Sequence, residues 1–277
     1  MFESTLRLVR FRGLLATLVI RELKARYRGS VLGFLWSLVT PLILLAVYTF
    51  VFSFIFQPRL SGADPYPLFL MSGLFPWIWI ATSLQEGTMS LTASAGLIRK
   101  AVFPVEVLPI VPVLANLVHL VLALPVLAAG MLLGRYFGFE VSGWAALAFP
   151  AVVALQTLLL GGMALGLSAL NVHFKDVKDI VANLLALLFY LTPVIYTLEG
   201  ISFPKVGWAQ VLGNAVTVFV RWCNPFTPFT EATQEVLFRG HLPEPILWLH
   251  MAAWAGVCWV VGIWLFDRLR DSLVEAV

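Results

Sequence analysis

The sequence predicts an all-α polytopic membrane protein with six membrane-crossing helices, and three observations carry that reading. Of its 277 residues 60% are hydrophobic and only 12% charged, with a mean hydropathy of +0.92; a soluble domain carries about twice that charged fraction. Six apolar stretches, near residues 33–56, 67–86, 105–133, 144–170, 180–198 and 246–266, match the roughly 20 residues that cross a hydrocarbon core of about 30 Å. The alternating ten-residue pattern of an outer-membrane barrel is absent. Backbone groups in lipid must find partners within their own segment, so each stretch is expected to be helix.

The chain opens on a basic segment. Positions 7, 10, 14, 17, 21, 24 and 28 fall on one helical stripe, and Arg7, Arg10, Arg21, Lys24 and Arg28 occupy five of them. Leu8, Phe11, Leu15, Val19 and Leu23 point broadly away, although Arg12, Glu22 and Arg26 interrupt that apolar side. An amphipathic helix at a membrane interface is expected over residues 1–30, its cations toward headgroups or a soluble partner. Gly29 and Ser30 mark the turn into the bilayer, because residues 29–56 carry no charge at all. That apolar run is longer than the roughly 7–15 residues of a signal peptide, so the segment is expected to stay in the mature protein.

Later elements follow the same logic. Asn116 and His119 lie one turn apart in the third stretch, and Gln156 and Asn183 are isolated polar residues in the fourth and fifth; hydrogen bonding between helices is their commonest use. Gly162 and Gly166 have the spacing of a close helix contact. Pro41, Pro109, Pro112, Pro125 and Pro193 are expected to bend helices. Residues 199–245 are apolar but broken by Gln210, Asn214, Arg221 and the prolines of NPFTPFT, which suits short dipping helices better than a seventh crossing. Trp248, Trp264 and Phe266 mark two interfaces in the last stretch.

Thirteen of the eighteen Lys and Arg residues fall before the first stretch, in the second and fourth connections, or after the last stretch. The positive-inside rule then places both termini in the cytoplasm. The two cysteines form no disulfide framework. There is no phosphate-cradling Gly-Lys-Ser/Thr loop, no Cys/His metal spacing, no serine nucleophile elbow and no pair of carboxylates within a stretch. These absences argue against an enzyme and against ion-coupled transport.

Five phrases, YRGSVLGFLWSLVTPL (27–42), GLFPWIW (73–79), GLIRKAVFPVEVLP (96–109), LNVHFKDVKDI (170–180) and NPFTPFTEATQEVLFRG (224–240), together and in this order resemble the ABC-2 exporter permeases that serve O-antigen, capsular polysaccharide and wall teichoic acid. The chain resembles that family over most of its length, and the O-antigen branch most. The resemblance implies a single transmembrane domain over 1–277 that forms a homodimer in the bacterial inner membrane. It implies export of a lipid-linked polysaccharide driven by two copies of a separate ATPase. This chain would then carry no cofactor, ATP and Mg would reside on the partner, and no nucleic acid would be involved. Teichoic acid, drug or lipid export is the alternative within the class, and an enzyme acting on polyprenyl-linked lipids the alternative outside it.

Carried over by position, the connection over 87–104 would hold an ATPase-coupling helix, with Met89, Ser90, Leu91, Thr92, Arg99 and Lys100 at the contact. Met89 and Leu91 offer it a small apolar face, and Ser90, Thr92 and Ser94 local caps. The basic segment would be an interface helix beside it, and 199–245 an outer gate. Aromatic faces stack on sugar rings without reading one particular sugar, so Phe34, Trp36, Tyr48, Phe75, Trp77, Trp79, Tyr190 and Tyr196 are the candidate lining of the substrate path.

Overall fold

The computed structural model describes residues 2–51, 65–98, 104–138, 143–198 and 207–276, and these contain helices and turns but no strand. Helices α1 (Phe2–Arg10) and α2 (Arg12–Arg26) lead to a turn at Gly29, whose φ of 82° suits a residue without a Cβ. The Ser30 hydroxyl accepts a hydrogen bond from the Gly33 amide at 3.1 Å, and a short 3-10 turn then enters α3 (Trp36–Phe50). Next come α4 (Tyr66–Ala93), the single turn α5 (Ala95–Ile98), α6 (Ile110–Tyr136), α7 (Phe149–His173) and α8 (Val177–Leu191). After them lie α9 (Gly207–Val218), α10 (Thr227–Gln234) and α11 (Pro245–Ala276).

Five segments, Gly33–Phe50, Tyr66–Ala93, Val105–Tyr136, Trp144–His173 and Pro245–Arg270, are long and apolar enough to cross a membrane. Residues 52–56, expected to finish the first crossing, lie outside the described residues. The expected crossing over 180–198 is shorter than its sequence suggests. Its helix, α8, has 15 residues and rises only about 22 Å, because Pro193 stops it rather than bending it. The chain that follows is not helical, yet Val194, Ile195 and Thr197 are buried. Helix α10 and the turn before it secure this exit: Asn224 Nδ2 donates to Thr192 Oγ1 and Gln234 Nε2 donates to the Pro193 carbonyl, both at 2.8 Å. Irregular backbone at membrane depth is tolerated where protein covers it in this way. Pro109 and Pro112 also differ from expectation. They stand at the cap and in the first turn of α6, where a missing N–H costs nothing.

Helix α4 is the centre of the molecule, packed against α3, α6, α7, α8 and α10. Ser72 and Thr88, both buried in it, donate their hydroxyls to the Phe69 and Leu84 carbonyls of the same helix at 2.6 Å, whereas the buried Ser83 hydroxyl has no partner among the described residues. Helix α3, by contrast, is covered on one flank only: Pro41 is buried and Leu38, Leu44, Leu45 and Tyr48 pack partly against the core. The closest crossing joins α7 to α11: Gly162 lies against the backbone of Cys258 and Trp259, and Gly166 faces Gly262, as their spacing predicts. A Cβ on Gly166 would stand 3.3 Å from the Gly262 Cα. Gly166→Ala is therefore expected to cost about 1 kcal/mol, read as a lowered melting temperature in detergent; an unchanged melting temperature would mean that this crossing is loose.

A second core closes one end of the bundle. Leu8, Leu18 and Val19 of the N-terminal helices share it with Leu91, Ile98, Leu108, Ile110, Val172, Ile263, Phe266 and Leu273. Both termini thus lie at this end, which carries most of the described basic residues and is called the basic end below. Phe266 is buried there and marks no interface, whereas Trp264 stays exposed with the Arg268 guanidinium 5.8 Å from its ring centroid. Cys223 and Cys258 are both free thiols.

Candidate functional site

The N-terminal segment is two consecutive helices that meet at Phe11. Arg10, Arg21, Lys24 and Arg28 are exposed along it, while Leu8 and Val19 are buried and Phe11, Leu15 and Leu23 pack partly against the second core. Arg7 departs from the exposed stripe. It is half-buried, and its guanidinium lies 3.8 Å from a carboxylate oxygen of Glu106.

The region read as a coupling loop is mostly an extension of α4. Residues 87–93 continue that helix, and the chain turns only at Ser94 into α5. Met89 and Thr92 face solvent, as do Ala93 and Gly96 beyond them. Ser90 and Leu91 point the other way, and Leu91 is only 1% exposed. Leu91 therefore offers no apolar face to a partner, because it belongs to the core that seats the N-terminal helices. The hydroxyls of Ser90 and Thr92 bond to carbonyls three residues back instead of capping a new helix. Arg99 and Lys100 lie outside the described residues.

Sequence reading passed over a junction at the mouth of the bundle. Arg26, which seemed only to interrupt the apolar side of α2, donates to Glu86 of α4 at 2.7 Å and to Asn116 of α6 at 2.8 Å. Asn116 Nδ2 in turn donates to the same Glu86 oxygen at 2.7 Å. Three elements are thus joined by three short bonds, each with a charged donor or acceptor. The Tyr27 hydroxyl lies 3.2 Å from His119 Nδ1. Burial raises the phenol pKa above its ordinary value, so Tyr27 remains neutral. The available signal was Glu86 itself, an acid closing an otherwise uncharged stretch.

Above this junction lies a cavity of about 360 Å³ between α3, α4 and α6, floored by Arg26, Tyr27 and Ser30. Trp36 borders it, and Phe34 packs edge-on to Tyr27 with ring centroids 5.5 Å apart. On the opposite flank of α3, toward α8, a groove of about 450 Å³ brings together Tyr48, Trp77 and Tyr190 with Phe189 and Gln85. The candidate path aromatics therefore divide. Phe34, Trp36 and Tyr190 are exposed and Tyr48 is half-buried. Phe75, Trp77 and Trp79 are buried core side chains that border these spaces, and Trp79 Nε1 donates to the Val113 carbonyl at 3.0 Å. Tyr196 lines neither space, and its hydroxyl donates to the Leu191 carbonyl at 3.0 Å.

Glu106 is a second acid of consequence. It is 1% exposed, with Arg7 of α1 and Arg270 of α11 each 3.8 Å from a different oxygen. The cations reach water and the carboxylate does not, so losing one arginine leaves Glu106 still paired. Arg270→Ala is expected to cost about 1 kcal/mol, well below the roughly 3–5 kcal/mol of stranding a buried charge. A thermal melt of the variant beside an Arg7→Ala/Arg270→Ala double variant checks this, and equal losses in the two would contradict it.

Among known proteins, the ABC-2 type transporter family matches residues 13–238. The chain is 34% identical over all 277 residues to an O-antigen export system permease protein RfbA of Myxococcus xanthus, with both proteins covered completely. It is 29% identical to a protein of the same name from Klebsiella pneumoniae, over 95% of this chain and 94% of that one. The polysialic acid transport protein KpsM of Escherichia coli is 21% identical over 94% of each chain. The family match runs from α2 to the wide turn after α10 and so takes in the Arg26 junction, both aromatic spaces and the α4–α5 tip. The chain belongs to the ABC-2 type transporter family and is a multi-pass membrane transport protein.

Proposed function

We propose that the chain is the transmembrane subunit of an inner-membrane exporter that moves a lipid-linked polysaccharide of the O-antigen type, powered by a separate ATPase. The observation that carries this reading is the end-to-end similarity to an O-antigen export permease. The structure adds physical support at the basic end, where the exposed α4–α5 tip and the cations of α1 and α2 form a surface suited to a soluble partner. The sequence has no phosphate-binding loop of its own, so ATP and Mg belong to that partner and force enters through this surface. Both termini then lie in the cytoplasm, in accord with the basic residues gathered there.

A homodimer with two ATPase copies completes the reading. The outer faces of α3 and α8 are uncovered, with Ile43, Val47, Ile180, Leu184 and Leu187 exposed, and the groove holding Tyr48 and Tyr190 opens between these two helices. A second copy placed against that groove would turn it into a conduit with weakly stacking walls. Affinity purification of the full chain from native membranes tests the assembly. A tag on this chain is expected to recover an ATPase at equal stoichiometry in a particle holding two copies of each. Recovery of the chain alone, monodisperse as a monomer, would overturn the reading.

A further inference from the structure

At the end opposite the N-terminal helices, a cavity of about 430 Å³ lies between the exit of α8, the wide turn after α9, helix α10 and the start of α11. Neither the Arg26 junction nor the aromatic groove shares it. Its volume falls in the usual range of ligand pockets. Two π turns, Phe219–Cys223 and Glu235–Arg239, both contribute to its wall. Such wide turns are rare and concentrate at functional sites. The first presents Trp222, which is 52% exposed and has His250 packed on one side at a centroid distance of 5.3 Å. The second presents Glu235 and Arg239, held together at 2.7 Å.

The chemistry of the lining narrows the ligand. Glu231 and Glu244 add further acceptors, and Arg221 adds a further donor. An anionic ligand would meet three carboxylates in this pocket. Among the described residues no three His, Cys, Asp or Glu side chains are placed to hold a metal ion. Hydroxyl groups both donate and accept, so an uncharged polyol suits a wall that mixes carboxylates with guanidinium groups. The geometry points to a carbohydrate-binding site here, with sugar rings stacked on the exposed Trp222 and their hydroxyls held by Arg221, Glu235 and Arg239. Its occupant is an uncharged segment of the exported glycan as it leaves the conduit. This rests on the polysaccharide-export reading above.

The test uses the full-length protein in detergent and, as probe, delipidated oligosaccharides released by mild acid from the surface polysaccharide of the source bacterium. Binding is read by saturation-transfer NMR and titration calorimetry. The wild type is expected to bind with a millimolar dissociation constant. Trp222→Ala weakens binding at least about tenfold while Trp222→Phe keeps most of it, the difference being the stacking face. Inorganic diphosphate and Mg are not expected to compete. No binding by the wild type, or equal binding by Trp222→Ala and wild type, overturns the inference. A parallel measurement of surface polysaccharide in a strain lacking the chain separates the two readings. If the polysaccharide is displayed normally there, the export reading itself fails; if display is lost but the Trp222 variants bind alike, only the outer site fails.

Discussion

Leu91→Asp is expected to leave almost no folded protein, whereas Met89→Asp, two residues earlier on the same helix, is expected to insert and fold but to lose the ATPase partner proposed above. The physical difference is orientation. Leu91 is 1% exposed and belongs to the core that joins α1 and α2 to α4, α6 and α11. A carboxylate there would be desolvated among apolar side chains and would cost about 4 kcal/mol or more, a large share of the stability of an ordinary domain. Met89 is 40% exposed at the tip, where a charge is solvated until a partner covers it. Fluorescence-detected size exclusion of detergent extracts reads the first effect, and pull-down with export assay reads the second. A monodisperse Leu91→Asp protein at wild-type yield would contradict the burial. A Met89→Asp protein that exports at the wild-type rate would remove this tip from the coupling surface.

The second large effect concerns Arg26. Arg26→Ala removes the partner of a Glu86 side chain that is 35% exposed, together with one of the bonds to Asn116. The loss is expected to be about 2–3 kcal/mol, below the full penalty for a buried charge because water still reaches the glutamate. Adding Glu86→Gln to Arg26→Ala is expected to restore part of it, since the stranded charge is gone. A double-mutant cycle on thermal melts measures the coupling directly. Additive losses would mean that the two side chains do not act together. Transport is expected to suffer more than stability, because this junction is the polar tie between the N-terminal helices and the helices that line the cavity above it.

How far the structure was legible depended on which interaction decided each feature. The apolar stretches and their order follow from the requirement that backbone groups in lipid be satisfied within helices, and the Gly162 to Gly262 crossing follows from small residues at helical spacing. The facing of individual side chains was not legible. Along α4, Phe75, Trp77 and Trp79 are core, but a membrane helix is apolar on its lipid side and its packed side alike. Sequence periodicity therefore says little about which ring meets substrate. Leu91 was misread for a related reason. Its burial comes from helices far away in sequence, and a loop was expected where α4 simply continues. Pro193 was read as a bend because nothing local shows that α10 returns to hold the chain at Thr192 and Pro193. Arg26, Glu86 and Glu106 are not legible as partners, since Arg26 meets Glu86 across 60 residues and Glu106 meets arginines near both ends of the chain.

The central claim is that this chain conducts a polysaccharide and draws its energy from another. The most direct measurement is reconstitution of the purified chain with its co-purified ATPase into proteoliposomes, followed by protease-free, lectin-based detection of lipid-linked polysaccharide moved across the bilayer. The account predicts movement that requires ATP, Mg and both proteins, that stops when the ATPase's own nucleotide site is disabled, and that Met89→Asp abolishes by releasing the ATPase. Movement at an undiminished rate by this chain alone, or a complex that hydrolyses ATP with native coupling yet moves no polysaccharide, would contradict it.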